Sequence, residues 1–201
     1  EMNDRNSRLA SALREEFGIE RGDRVAVLAE NDTNFFEVQF ACWKLGAIFV
    51  PLNWRLSIPE LEYIIGDANP DVIVHDDPFA DNATKLAELC DIDHRITWGP
   101  SIGSAAAYEE VLASHLPLAN SVTCTHDDAL TIMYTSGTTG RPKGAIITHG
   151  MTFWNAVNSV EYYTCAESMI NLAFLPLFHT GGLNVFANPT FHFGGCLLYT
   201  F

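Results

Sequence analysis

The sequence predicts an α/β fold in which βαβ units build a largely parallel sheet flanked by helices. Three observations carry this. Short apolar runs rich in Val, Ile and Phe alternate with stretches of helical periodicity. Gly, Asn, Asp, Ser and Pro punctuate the joins. The first four runs open at Arg24, Ala47, Asp71 and Arg95, a spacing that fits helical crossovers rather than hairpins.

Each element has its own signal. Residues 4–17 read as an amphipathic helix, with Asp4 as a cap and Gly18 as a stop. "RVAVLAE" from Arg24 is a buried strand. "TNFFEVQFACWKLG" follows as a helix opened by Asp32 or Thr33 and closed by Gly46. "AIFVPL" is a strand, and "SIPELEYIIGDA" is a helix announced by Ser57, Pro59 and Glu60 in a capping-box pattern. "DVIVHD" is a strand, residues 80–90 a helix, "RITW" extended and 105–115 helical. The softest boundary falls at 115–128. It divides the chain into a first α/β subdomain portion, 1–128, and the start of a second, 129–201. There "ALTIMYT" and "GAIITH" are strands, 149–163 is helical, "NLAFLPLFHTGGLN" runs strand, turn and helix start, and "GGCLLYTF" is a strand.

Composition excludes several classes. The 201 residues carry a net charge of −14, and residues 1–128 hold 23 acidic against nine basic side chains. Residues 129–201 hold only two of each, Glu161 and Glu167 against Arg141 and Lys143. Nucleic-acid binding needs clustered cations, so no nucleic-acid partner is expected. No apolar run approaches the ~20 residues of a membrane span. The five cysteines are scattered, with no Cys-x-x-Cys pair. They suit a reducing cytoplasm rather than a disulfide framework or zinc site. The nearly uncharged second portion must bury its aromatics, either within this chain or against something beyond it.

One stretch carries chemistry. "YTSGTTGRPKGA", Tyr134–Ala145, places glycines, hydroxyls and a lysine between two strands. Glycines let backbone N–H groups approach an anion, and successive N–H groups form an anion-binding concavity. Ser136, Thr138 and Thr139 add donors, and Lys143 adds a mobile point charge. Together they suit a polyphosphate. A Walker A loop is excluded, because Gly140 and Lys143 are separated by two residues and a strand follows. A plain surface hairpin loop is the bland alternative. A dinucleotide fold ranks far below, since no Gly-x-Gly-x-x-Gly follows the first strand.

These residues resemble the phosphate-binding signature of the AMP-forming adenylating enzymes. That superfamily includes acyl-CoA and aryl-CoA synthetases, peptide-synthetase adenylation domains and beetle luciferases. "LPLFHTGGL", Leu175–Leu183, resembles its next core motif. "GDRVAVLAEN", "KLGAIFVPLNWRLSIPELEYII" and "DANPDVIV" resemble its N-terminal region, in order. "NWRLSIPELEYII" is most similar to bacterial fatty-acyl-CoA synthetases.

The resemblance implies an acid–thiol ligase that uses ATP, Mg²⁺ and coenzyme A to activate a fatty or other apolar carboxylic acid. An aryl-CoA ligase and a noncatalytic nucleotide-binding module are the alternatives. Thr135, Ser136, Gly137, Thr138, Thr139, Gly140 and Lys143 are implied to hold the departing pyrophosphate. Thr135 would lie near Mg²⁺, and Lys143 would offset leaving-group charge. His179 is expected in the carboxylate pocket, against the alternative of a packed turn residue, with Thr180, Gly181 and Gly182 letting the backbone pass close. Some aromatics of 153–201 are expected to wall an acyl tunnel, the rest to be core. Members of this superfamily run to roughly two and a half times this length, beyond what one core supports. The chain is therefore expected to be a fragment lacking the C-terminal lobe and to have little activity alone. The oligomeric state stays open, a homodimer included.

Overall fold

The computed structural model describes residues 1–100, 103–135, 141–163 and 167–199; the side chains of 161–163 are also outside the description. Nine strands and seven α-helices occur among the described residues. Seven strands form one sheet in the order β5-β4-β3-β1-β2-β6-β7. They are β1 (Arg24–Leu28), β2 (Ile48–Pro51), β3 (Val72–His75), β4 (His94–Thr97), β5 (Ala106–Ala107), β6 (Ala129–Thr135) and β7 (Lys143–Thr148). All neighbours are parallel except β6 and β7. A separate parallel pair joins β8 (Ile170–Ala173) to β9 (Cys196–Tyr199).

β1 sits between β2 and β3, so the chain turns back across it. Right-handed crossovers then send the helices of opposite steps to opposite faces. Alternate residues of the strands divide accordingly. Val25, Val27, Phe49, Val72 and Val74 enter a core with α1 (Met2–Glu15) and α2 (Thr33–Leu45). Ala26, Leu28, Val50 and Ile73 enter a second core with α3 (Ile58–Ala68) and α4 (Ala80–Leu89).

The local signals are realised. Asp32 caps α2 by accepting from the Asn34 N–H at 2.8 Å, and Gly46 closes it at φ +68°. The Glu60 carboxylate takes the Ser57 N–H at 2.9 Å and its hydroxyl at 2.6 Å, which holds the carboxyl below the usual range. Two details differ. Asp4 lies in the first turn of α1, whose cap is Glu1. The helix read at 105–115 begins only at Tyr108 (α5, Tyr108–Ser114), because Ala106 and Ala107 pair with β4 as the edge strand β5.

A buried network ties α1, α2 and α5 together. Glu37, 2% exposed, accepts from the Arg5 Nε at 2.7 Å and from the Tyr108 hydroxyl at 2.8 Å. Arg5 also reaches Glu109 at 2.6 Å. Burial, then the Glu37 charge, pushes the Tyr108 phenol far above its ordinary range. Beyond the sheet lie α6 (His149–Tyr163), which exposes Met151, Phe153, Trp154 and Val160, a π-helical segment (Gly181–Ala187) and α7 (Asn188–His192). Among the described residues, no helix is long and apolar enough to cross a membrane.

Candidate functional site

In open parallel sheets the carboxyl ends of the strands are where ligands bind. A cleft of about 390 Å³ opens there, beyond β2 and β6. β2 and the segment after it supply Pro51, Leu52, Asn53 and Leu56, and α3 supplies Glu60 and Ile64. Tyr134 and Thr135 end β6, and Pro142 precedes β7. Phe178 and His179 close the far wall.

Two predicted residues thus meet, Thr135 and His179. Lys143 is exposed at the first position of β7, opposite Thr135 in the antiparallel register, and is not among the cleft-lining residues. Ser136, Gly137, Thr138, Thr139 and Gly140 lie outside the described residues. Thr135 before them and Pro142, two residues after Gly140, both line the cleft. The loop enters a strand, as expected for a site distinct from Walker A.

The His179 turn is built from the backbone up. The Gly181 N–H points at His179 Nδ1 at 3.1 Å, which makes Nδ1 the acceptor and puts the proton on Nε2. The His179 carbonyl accepts from Gly182 and Leu183, both at 3.0 Å, and so starts the π-helical segment. Gly182 is buried against the turn, where a Cβ would fall 2.4 Å from the Pro176 oxygen. Thr180 is exposed and hydrogen-bonds Asn184 at 3.2 Å.

Three features escaped the sequence reading. Asn31, just after β1, donates to the Leu175 carbonyl at 3.0 Å and accepts from the Leu177 N–H at 2.9 Å, clamping the turn that carries His179. Its position past a strand's carboxyl end was the available signal. Arg55 lies over both Trp54 and Phe178, its Cζ 4.8 and 5.7 Å from the ring centroids, beside the cleft. No carboxylate pairs with it among the described residues. Tyr134 donates to Asp67 at 2.6 Å, a contact between residues 67 apart that no local pattern reveals.

The cleft can hold an anion beside an apolar group. Thr135 offers a hydroxyl, Arg55 and Lys143 offer cations nearby, and Leu52, Leu56, Ile64 and Phe178 form apolar wall. No cluster of His, Cys, Asp or Glu among the described residues could hold a metal by itself. Mg²⁺ usually takes one or two carboxylates plus phosphate oxygens, and Glu60, the one carboxylate of this wall, is engaged by Ser57. The lining residues therefore do not form a metal site of their own. A larger cleft of about 510 Å³ between α1, α2, α6 and α7 contains none of the predicted phosphate-loop or His179-turn residues, but is lined by two of the aromatics of 153–201, Phe153 and Phe191.

Comparison with known proteins gives the family. The chain belongs to the AMP-binding enzyme family, whose model it matches over residues 1–200. It is 38% identical over 198 residues to a feruloyl-CoA synthase of Amycolatopsis sp, covering 98% of this chain and 38% of that protein. It is 36% identical over 188 residues to the long-chain-fatty-acid–CoA ligase FadD13 of Mycobacterium tuberculosis, covering 91% and 36%. Among solved structures, ATP-bound MatB from Rhodopseudomonas palustris superposes with a TM-score of 0.85 at 29% identity, covering 100% of this chain and 39% of that one. The chain thus spans well under half the length of these three relatives.

Proposed function

We propose that the whole protein carrying this chain joins a carboxylic acid to coenzyme A by way of an acyl-adenylate. The acid's carboxylate oxygen attacks the α-phosphorus of ATP, the bond to the bridging oxygen breaks, and pyrophosphate leaves. The CoA thiol then attacks the acyl carbon and AMP departs. The supporting observation is the convergence of Thr135, Pro142 and His179 on one cleft at the strands' carboxyl ends.

In this reading the segment Thr135–Lys143 holds the pyrophosphate portion. Lys143 offsets its charge; a Mg²⁺ carried by the nucleotide would be held chiefly by the phosphates, with Thr135 as its neighbour, and would add charge stabilisation there. His179 borders the acid, and Arg55 adds a cation for the anionic partners. Such groups act by positioning and charge stabilisation. An apolar acid, fatty in the first instance, suits the wall of Leu52, Leu56, Ile64 and Phe178. An aryl acid is the second reading, favoured by the 38% identity to a feruloyl-CoA synthase.

We read residues 1–128 and 129–201 as portions of two subdomains. The support is the stretch 115–128, which carries no helix or strand, and the separate β8–β9 pair; β6 and β7 tie the portions through a shared sheet. The scattered cysteines favour a cytoplasmic site of action. Sedimentation of the whole protein distinguishes a monomer from a homodimer.

The test is carboxylate-dependent ATP–pyrophosphate exchange by the whole protein with fatty, aryl and amino acids, beside Lys143→Ala. Exchange that falls about 100-fold or more in the variant supports adenylation, as expected for loss of a charge-stabilising group, and the best acid sets the subclass. ATP binding with no exchange for any acid favours a noncatalytic nucleotide module instead.

A further inference from the structure

Tyr134 and Arg141, which stand on either side of residues 135–140, both contact one face of α3. On the entry side, the Tyr134 hydroxyl donates to the Asp67 carboxylate at 2.6 Å, a short charge-assisted bond. On the exit side, the Arg141 guanidinium lies 5.5 Å from the Tyr63 ring centroid. Tyr63 and Asp67 are four residues apart on α3 and so share a face. Burial, and then Asp67, raises the Tyr134 phenol well above its ordinary range, so it stays a donor. Gly144, opposite Tyr134 in the register, leaves room for the ring: a Cβ there would lie 2.9 Å from Ile132 Cγ2 and 3.1 Å from Tyr134 Cζ.

We infer that Tyr63 and Asp67 are positioning residues for the nucleotide cleft, setting where Thr135 and Pro142 stand relative to the wall that α3 itself provides. This rests on the proposed adenylation. α3 contributes Glu60 and Ile64 to the cleft, and the neighbours of Tyr134 and Arg141 are Thr135 and Pro142. One rigid helix therefore fixes both the wall and the stems of the phosphate segment. The pairing of Thr135 with Lys143 holds the stems to each other, and β6 is joined to β2; the Asp67 and Tyr63 contacts tie the stems to α3. Neither Tyr63 nor Asp67 is among the cleft-lining residues.

The test uses the whole protein with Tyr134→Phe, Asp67→Ala and the double variant. Two readouts apply: the KM for ATP against kcat in pyrophosphate exchange, and the initial rate of tryptic cleavage at Lys143–Gly144 without nucleotide. Trypsin passes over Arg141 because Pro142 follows. Each single variant is expected to raise the KM for ATP by about three- to tenfold, the scale of one lost hydrogen bond. The kcat and the KM for the acid should stay within about twofold. Cleavage should quicken by a similar factor. The double variant should be no worse than the worse single, because one bond is lost in all three. Parent-like cleavage and KM, or additive effects, would overturn the inference. If Tyr134→Phe does not fold, Tyr63→Leu on the half-open face of α3 tests the other anchor by the same readouts, and unchanged cleavage there counts against it. Absence of exchange with every acid would sink the adenylation reading alone, while the cleavage rates would still decide the anchors.

Discussion

Replacing Gly182 with alanine should destabilise the protein and dislodge His179. The new Cβ would sit 2.4 Å from the Pro176 oxygen, 2.8 Å from the Leu175 oxygen and 2.9 Å from the Pro176 carbonyl carbon. All three are backbone atoms, so no rotamer relieves them. Reaching ordinary contact requires about 1 Å of movement by the turn or the helix start. The turn is pinned by Asn31 through two hydrogen bonds, at 3.0 and 2.9 Å. Overpacking of this kind costs about 1–3 kcal/mol, and rigid neighbours put it at the upper end. A strained Asn31 clamp adds about 1 kcal/mol. Alanine's better helix propensity returns about 1 kcal/mol. The net expectation is a loss of about 2–3 kcal/mol. Gly181→Ala is the control, since its Cβ would meet only side chains, Leu175 Cδ1 at 3.2 Å and His179 Nδ1 at 3.3 Å. That variant should be close to neutral in stability. Urea unfolding of the whole protein measures both through the midpoint at constant slope. A Gly182→Ala protein within about 0.5 kcal/mol of the parent, a change typical of an innocuous surface site, would refute the packing argument.

Other variants probe separate links. Tyr108→Phe leaves the buried Glu37 carboxylate without one of its two donors, so a loss of about 1.5–3 kcal/mol is expected in thermal or urea unfolding. Asn31→Ala removes both clamps on the His179 turn; about 2 kcal/mol of stability should go, with a raised KM for the acid if His179 borders it. Burial lowers the pKa of both His75 and His149, so each folds in its neutral form. The unfolded chain then binds more protons just below the ordinary histidine value of about 6.5. Stability should therefore be full above that pH and fall as pH drops through it. Urea midpoints at pH 7.5 and 5.5 check the sign, and a His75→Asn variant should show a shallower fall.

The parallel sheet was legible because buried βαβ strands announce themselves as apolar runs at crossover spacing, and α2 because Asp32 and Gly46 are strong local signals. Residues 105–107 were misread since Ala105, Ala106 and Ala107 carry no strand signature; only pairing with Ile96 and Thr97 makes β5. Family membership was legible in "YTSGTTGRPKGA", whose composition is dictated by its ligand chemistry rather than by packing. The supports of the cleft were not. Asn31 meets a turn 144 residues away in the chain, and Asp67 meets Tyr134 at a separation of 67. Such contacts exist only once the sheet order is set. Arg55 was hidden for a different reason: exposed, on an irregular segment, it resembles any solvated cation until Trp54 and Phe178 are placed around it.

The β8–β9 pair has a practical consequence. Two strands alone satisfy few backbone groups, and parallel strands are ordinarily covered on both faces. Here Ile170, Leu172 and Leu198 stand 69%, 45% and 53% exposed. The 201-residue chain taken alone is therefore expected to self-associate through this pair, which light scattering against concentration would show. Its shelf life would be set by collision frequency, and so by concentration, long before the thermal limit of the well-packed sheet was reached. Two lysines placed on the outward positions of that pair should lengthen it without touching the cleft.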